Sequence, residues 1–308
     1  MTRTRAGAGT VTAALVAAVP AHEGPVYSPA EDALYVTTLP VPREGSEPDV
    51  AILRIALDGR WPVPESAVTV VRARSGAANG MALDRDGALL VCEQGGPRSR
   101  AAITRLDPRT GERTVLADRF DGRPLSSPND VVVAPDGAVW FTDPSYGFLQ
   151  GFRPAPALRD AVYRLDRATG RLSVASVQED KPNGLAFSPD GRTLYVADSG
   201  AIHGPGDLDP ARPHHVVRYD VGPDGVPAGR RAVHEVPGFP DGLAVDRHGR
   251  LYVCCATGIH VVAGDGALLD VLDVPGAVNL TLGGPDAEIA FVTTDTAVVA
   301  VVLPDLHR

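Results

Sequence analysis

Six polar residues recur along the chain, each at the start of a short apolar segment. They are Glu23, Asn79, Asn129, Asn183, Asp241 and Asn279. Carboxylate and carboxamide oxygens without histidine or cysteine suit a hard divalent cation, with Ca²⁺ ahead of Mg²⁺ and Mn²⁺. Asn and Asp are also favoured in turns, where their side chains bond to nearby backbone, but Glu23 is a poor turn residue. The pattern therefore indicates a cation site, provided that the fold brings these positions together.

Each of the six residues begins a repeated unit. A short apolar strand, a turn rich in Asp and Gly, and a strand of β-branched and aromatic residues follow it, which predicts a β-hairpin. Further strands follow in most units, so about four strands recur roughly every 50 residues. The sequence therefore predicts an all-β, six-bladed propeller with four antiparallel strands per blade, a single domain over residues 1–308. Equivalent positions then lie in a ring around the central channel.

The sixth unit contains only three strands, which leaves one blade incomplete. The early segment TVTAALVAAV can pair with AVVAVVL near residue 300 and so close the ring. About ten residues before it are expected to be flexible. Arg3, Arg5 and Ala21 around this segment also resemble a secretory signal. We favour the strand and a cytoplasmic protein, with secretion as the alternative.

Composition excludes several classes of function. The 29 basic and 38 acidic residues give a net charge of −9, which disfavours nucleic-acid binding. No apolar run reaches the roughly 18 residues of a membrane-spanning helix. We therefore expect a small-molecule substrate and a monomer or weak homo-oligomer. Cys92 and Cys254 occupy the same offset in units two and five, on opposite sides of a propeller, and are predicted not to be bonded.

The second strand of each hairpin runs back toward the ring and ends near it. Asp143 and Asp198, which end two of these strands, are expected to orient ring residues or backbone, as is Asn279. Glu93 ends a third such strand and is expected to face the substrate with Asn79 and Asn129. Long loops at one mouth of a barrel often carry recognition residues. The two longest loops carry Tyr146, Phe148 and His203, three further candidates for substrate contact.

Four stretches carry a resemblance that spans nearly the whole chain. They read HEGPVYSP, SSPNDVVVAPDGAVWFTDPSYGF, KPNGLAFSPDGRTLYVADS and FPDGLAVDRHGRLYV. The chain resembles the SMP-30/gluconolactonase/LRE-like family of six-bladed propellers. The resemblance implies one divalent cation in the channel, calcium or in some members zinc, and lactone or ester hydrolysis. It assigns the metal to Glu23, Asn183 and Asp241, metal or substrate contact to Asn129, and general-base catalysis to Asp241.

Some positions depart from the family pattern near the expected substrate pocket. Gln94 replaces a frequent histidine after Cys92 and Glu93, Ser126 replaces an asparagine, and Thr37 and Thr38 replace a Ser-Asp pair. These departures favour a substrate other than a simple sugar lactone. A metal-dependent lactonase is the preferred function. The alternatives are a secondary-metabolite tailoring enzyme that isomerises, eliminates or cyclises at the same metal, and a non-catalytic small-molecule-binding propeller.

Overall fold

The computed structural model describes residues 13–204 and 206–303. Six four-stranded antiparallel sheets follow one another around a ring, which confirms the six-bladed propeller. The segment expected to be flexible lies outside the described residues. Each blade begins at the channel with a strand that carries a ring residue or follows it by two residues, and ends at the periphery.

The first strand of the described residues, β1, spans Ala14–Ala17. Blade 1 comprises β2 (Ala21–Ser28), β3 (Ala33–Thr38), β4 (Ile52–Ala56) and β5 (Val68–Arg72), with a short 3-10 helix at Glu65–Ala67. Blade 2 comprises β6 (Ala78–Leu83), β7 (Leu89–Glu93), β8 (Ala102–Leu106) and β9 (Arg113–Ala117). A two-residue hairpin follows, with β10 (Arg119–Phe120) and β11 (Arg123–Pro124).

Blade 3 comprises β12 (Val131–Val133), β13 (Val139–Asp143), β14 (Ala161–Leu165) and β15 (Leu172–Ser176). Helix α1 (Tyr146–Leu149) lies between β13 and β14. Blade 4 comprises β16 (Pro182–Phe187), β17 (Thr193–Asp198), β18 (His215–Val221) and β19 (Pro227–Glu235). Blade 5 comprises β20 (Leu243–Val245), β21 (Leu251–Cys255), β22 (Gly258–Val262) and β23 (Leu268–Leu272).

Blade 6 combines strands from both ends of the described chain. Its inner three strands are β24 (Asn279–Gly283), β25 (Ile289–Thr293) and β26 (Val298–Val302). β1 pairs antiparallel with β26, and Ala14 lies opposite Ala300. The predicted closure of the ring by the early and late strands is therefore confirmed.

Apolar clusters fill each space between neighbouring blades. Between blades 2 and 3, for example, Leu90, Cys92 and Ile103 pack with Val131 and Phe141. Because each sheet is covered on both faces, all five residues of β7, β13, β21 and β22 are buried. This two-sided burial explains why apolar residues follow one another directly in these strands, as at residues 89–92, and do not alternate with exposed polar residues.

The cysteines lie in this core. Cys92 belongs to the cluster between blades 2 and 3, and Cys254 to the cluster between blades 5 and 6. Both are free, as is Cys255, so the prediction that Cys92 and Cys254 are not bonded is confirmed. Within the described ranges, no helix is long and apolar enough to cross a bilayer.

Candidate active site

One mouth of the channel holds a cavity of about 240 Å³ that is lined by five of the six ring residues. These five are Glu23, Asn79, Asn129, Asn183 and Asp241. The sixth, Asn279, donates from Nδ2 to Glu23 Oε2 at 2.7 Å. A larger cavity of about 470 Å³ has a mostly apolar lining and includes only Asn279 of the ring. The fold therefore gathers the polar repeat positions at one site.

Threonine side chains tie some ring residues to the preceding blade. Thr37 donates from Oγ1 to the carbonyl oxygen of Asn79 at 3.1 Å, and Thr142 donates to that of Asn183 at 2.8 Å. Both threonines are fully buried. The side chain of Thr37, one of the departures from the family pattern, thus contacts the backbone of the neighbouring ring residue, Asn79.

Other groups connect the remaining four junctions between blades. Asn279 bonds Glu23 between blades 6 and 1, as described. Between blades 2 and 3, Gly80 N donates to the carbonyl oxygen of Asn129 at 2.7 Å, and between blades 5 and 6, Gly242 N donates to that of Val278 at 2.9 Å. Between blades 4 and 5, Ser199 Oγ donates to the carbonyl oxygen of Pro240. Every junction therefore has a hydrogen bond at or beside a ring position. These hydrogen bonds fix the position of each ring residue relative to the neighbouring blade.

Glycines follow several ring residues because the blades approach closely there. A Cβ at Gly184 would lie 2.3 Å from the Asp241 carbonyl oxygen, and one at Gly242 would lie 2.1 Å from Asn279 Oδ1. Neither glycine has a left-handed backbone conformation. The Asn-Gly and Asp-Gly pairs at these positions therefore serve packing between blades and are not turn signals.

Two buried carboxyl groups share the cavity. Burial raises the pKa of Glu23 and raises that of Asp241 well above its ordinary value, and the charge of Glu23 raises the pKa of Asp241 further. A hydrogen bond with Asn183 and the nearby His22 act in the opposite direction on Asp241. A site in which two carboxylates disfavour each other's charge is one that a cation would stabilise.

His22 also lines the cavity, although the repeat pattern, whose first unit starts at Glu23, does not include it. Its Nδ1 lies 2.6 Å from Asp295 Oδ1. Burial lowers the pKa of His22, but Asp295, Glu23 and Asp241 together outweigh burial and leave that pKa raised. The signal was present in the HEGPVYSP stretch, where a titratable residue precedes Glu23 directly.

The donor chemistry fits a hard cation. The side-chain oxygens Oδ1 of Asn79 and Asn129 are buried and lack a hydrogen-bond partner. Orphaned carboxamide oxygens facing two carboxylates are the groups that Ca²⁺ coordinates. Among residues 13–204 and 206–303, no three His, Cys, Asp or Glu side chains form a metal-binding group. A cation here would depend on the carboxamides as well as on Glu23 and Asp241.

Other candidates lie at different distances from the cavity. Tyr146 and Gln94 are part of its wall. Asp143 accepts hydrogen bonds from the backbone N–H groups of Ser126 and Ser127, at 2.9 and 2.8 Å. Asp198 likewise accepts from the N–H groups of Asp180 and Lys181. These two aspartates thus hold the backbone that leads into Asn129 and Asn183.

Three residues expected to contact substrate lie outside the lining of the cavity. Both carboxylate oxygens of Glu93 bond Arg113, and Oε1 also accepts from Thr104 at 2.9 Å. Phe148 is 47% exposed. The Nε2 atom of His203 lies 3.3 Å from Asp180 Oδ2. Glu93 lies outside the lining because its carboxylate is held by Arg113. The sequence pattern does not reveal this pair.

Comparison with known proteins identifies the family. A model of the SMP-30/gluconolactonase/LRE-like region matches residues 21–296. The chain belongs to this family. A gluconolactonase of Zymomonas mobilis is 32% identical over 251 residues, 74% of this chain and 65% of that protein. A lactonohydrolase of Aspergillus oryzae is 30% identical over 301 residues, 87% of this chain and 64% of its own length.

Solved structures of the family agree with this assignment. A gluconolactonase structure from Xanthomonas campestris superposes with a TM-score of 0.76 at 34% identity, covering 94% of this chain and 88% of that one. The chain spans just under two thirds of the length of the two curated relatives named above.

Proposed function

We propose that this chain is a divalent-metal-dependent hydrolase of a lactone or a related cyclic ester. The observation that carries the proposal is the cavity in which Glu23, Asn183 and Asp241 meet two orphaned carboxamide oxygens. Relatives named gluconolactonase and lactonohydrolase, at 32% and 30% identity, support the reaction class.

The proposed cation is held by Glu23, Asn183 and Asp241, with Asn129 contacting the cation or the substrate. Oxygen donors alone favour Ca²⁺, ahead of Mg²⁺, Mn²⁺ and Zn²⁺. When bound, such a cation supplies polarisation of the substrate carbonyl and stabilises negative charge on its oxygen. Asn279 keeps Glu23 oriented through their 2.7 Å hydrogen bond.

Asp241 is the proposed general base. In hydrolysis, a water oxygen bonds to the carbonyl carbon, the ring carbon–oxygen bond breaks, and the proton of the water passes to the leaving alkoxide. Asp241 takes that proton and returns it, so the products are one hydroxy acid and the unchanged enzyme. Asn183, which lines the same cavity, lowers the pKa of Asp241 and so favours the charged form that accepts a proton.

The proposed substrate is a neutral lactone with an apolar edge. Neither arginine nor lysine is among the described residues that line the cavity, whereas Pro40, Ile202 and Phe239 form an apolar part of its wall. The described lining therefore offers no arginine or lysine to pair with the charge of a phosphorylated or sulfonated lactone. The replacement of histidine by Gln94 in this wall also favours a substrate unlike the simple sugar lactones.

Asp241→Asn separates the role of base from that of ligand. The carboxamide keeps an oxygen for coordination but accepts no proton, so we expect retained cation and turnover lower by about 10²–10⁴. Glu23→Gln should weaken cation binding first and regain activity with excess cation. Near-normal turnover of cation-loaded Asp241→Asn would refute the role of base.

A lactone panel tests the reaction class itself. Acid release that chelation abolishes and added cation restores supports the hydrolase. A product of unchanged mass would instead indicate an isomerase on the same site, and binding without turnover a non-catalytic propeller.

A further inference from the structure

The chain contains one lysine, Lys181, against 28 arginines. Its side chain is 9% exposed, and its ammonium lies 2.9 Å from Asp160 Oδ2 and 3.1 Å from Asp180 Oδ1. It also donates to the Asp180 carbonyl oxygen at 2.9 Å. Three acceptors match the three N–H donors of an ammonium, whereas a guanidinium directs its donors in one plane. The geometry therefore favours lysine at this position.

Two loops form part of the cavity wall near Lys181. Loop A, residues 144–160, contributes Tyr146 and Gln150. Loop B, residues 199–204 and 206–214, contributes Ile202 and Gly204. The distance between these loops therefore affects the width of the cavity.

Lys181 connects the two loops through its carboxylate partners. Asp160, at the end of loop A, also accepts a hydrogen bond from Ser145 near the start of that loop, at 3.1 Å. Asp180 lies 3.3 Å from His203 of loop B. One buried ammonium is thus central to a chain of polar contacts from Ser145 to His203.

Loop A has a second attachment, which is made by Arg153 in its middle. Arg153 donates to four backbone carbonyl oxygens, those of Gly96, Ser99, Leu125 and Ser126. Helix α1 lies in the chain between Ser145, which bonds Asp160, and Arg153, and its Gly147 N–H also donates to Ser127 Oγ at 2.9 Å. Release of the Asp160 attachment would therefore free Ser145 at the start of α1, while the contacts of Gly147 and Arg153 remain.

We propose that Lys181 is a positioning residue that sets the spacing of loops A and B and thereby the fit of the substrate. This inference rests on the proposed function, since it concerns the same cavity. Lys181 acts through Asp160 and Asp180 and is not itself part of the cavity lining.

The test compares Lys181→Met with the control Arg105→Met. Arg105 makes an equally close ion pair, 2.7 Å from buried Asp84, at the hairpin turn beyond β6 and away from the candidate site. For Lys181→Met we expect kcat/KM on the best lactone to fall about 10- to 100-fold, mainly through a higher KM. For Arg105→Met we expect unchanged KM despite lower thermal stability. An unchanged KM in Lys181→Met would overturn the proposal.

Hydrogen exchange gives a readout that needs no substrate. Backbone amides of residues 145–152 and 199–204 should exchange faster in Lys181→Met, and at the wild-type rate in Arg105→Met. If Lys181→Met does not fold, the double variant Lys181→Met/Asp160→Asn replaces it in both measurements. The second substitution removes the Asp160 carboxylate that would otherwise be left without its ammonium partner. If the wild type hydrolyses no lactone, the proposed function fails while exchange still decides the role of Lys181. Unchanged exchange in both loops would refute that role.

Discussion

Replacing Gly184 by alanine tests whether close packing between blades positions the site. The new Cβ would lie 2.3 Å from the Asp241 carbonyl oxygen, whereas ordinary contact begins near 3.4 Å. Because the obstacle is backbone, blades 4 and 5 would have to separate by about 1 Å at the ring. Overpacking of this kind costs about 1–3 kcal/mol of folding stability. A displacement of that size at Asp241 would lower kcat/KM by up to about 10²-fold.

Thermal unfolding and lactone hydrolysis measure the two effects, and Gly264→Ala provides the matched control. A Cβ at Gly264 would meet its nearest neighbour, the Tyr195 hydroxyl, at 3.4 Å, and the residue has no left-handed conformation. We expect Gly264→Ala to retain stability and activity. If Gly184→Ala matched this control in both measurements, the packing explanation of the ring glycines would be wrong.

Three further outcomes are expected. The pKa of aspartate in the unfolded chain is about 4. In the folded protein, burial raises the pKa of Asp84, but hydrogen bonds from Arg105 and other donors outweigh burial and leave that pKa lowered. The stabilisation by Asp84 is therefore complete above pH 4 and is lost as the pH falls through the folded pKa. Asp84→Asn should be less stable than wild type at pH 7, and the two proteins should become equally stable in acid. Denaturation at several pH values measures this difference. Calcium titration followed by thermal shift should show weaker binding by Glu23→Gln, and equal midpoints would contradict its role as a ligand. The native protein should not react with a thiol reagent, because burial raises the pKa of both Cys92 and Cys254 well above the ordinary value of a thiol. After unfolding, three thiols should react. Rapid reaction of the native protein would contradict this expectation.

The repeat pattern was sufficient to predict the blades, the ring and its closure, because each unit carries its own strand and turn signals. It also predicted that Glu23, Asn183 and Asp241 would meet, since equivalent positions of a closed ring converge. Contacts between different units were harder to predict. Glu93 bonds Arg113, twenty residues away, and no local spacing identifies that pair.

The loops show the same limit. A four-residue helix at Tyr146–Leu149 is too short to give a periodic signal, so its presence in loop A was not predicted. His22 and Lys181 each stand alone in the repeat pattern and become informative only through partners distant in sequence. Asp295 and Asp160 are those partners.

The pairing of β1 with β26 has a kinetic consequence. Bringing Ala14 to Ala300 directly in an unfolded chain would cost roughly 3.5 kcal/mol more loop-closure entropy than closing a hairpin loop of about five residues. Blades 1 to 5, which are made of local hairpins, are therefore expected to assemble first and bring these strands near each other. The intermediate would be an open arc that exposes the apolar faces of blades 1 and 5, which blade 6 covers in the complete ring, and that leaves β1 and β26 unpaired. Such a species is prone to self-association. Since Asn279 belongs to the last blade, the orientation of Glu23 would be completed only when the arc closes.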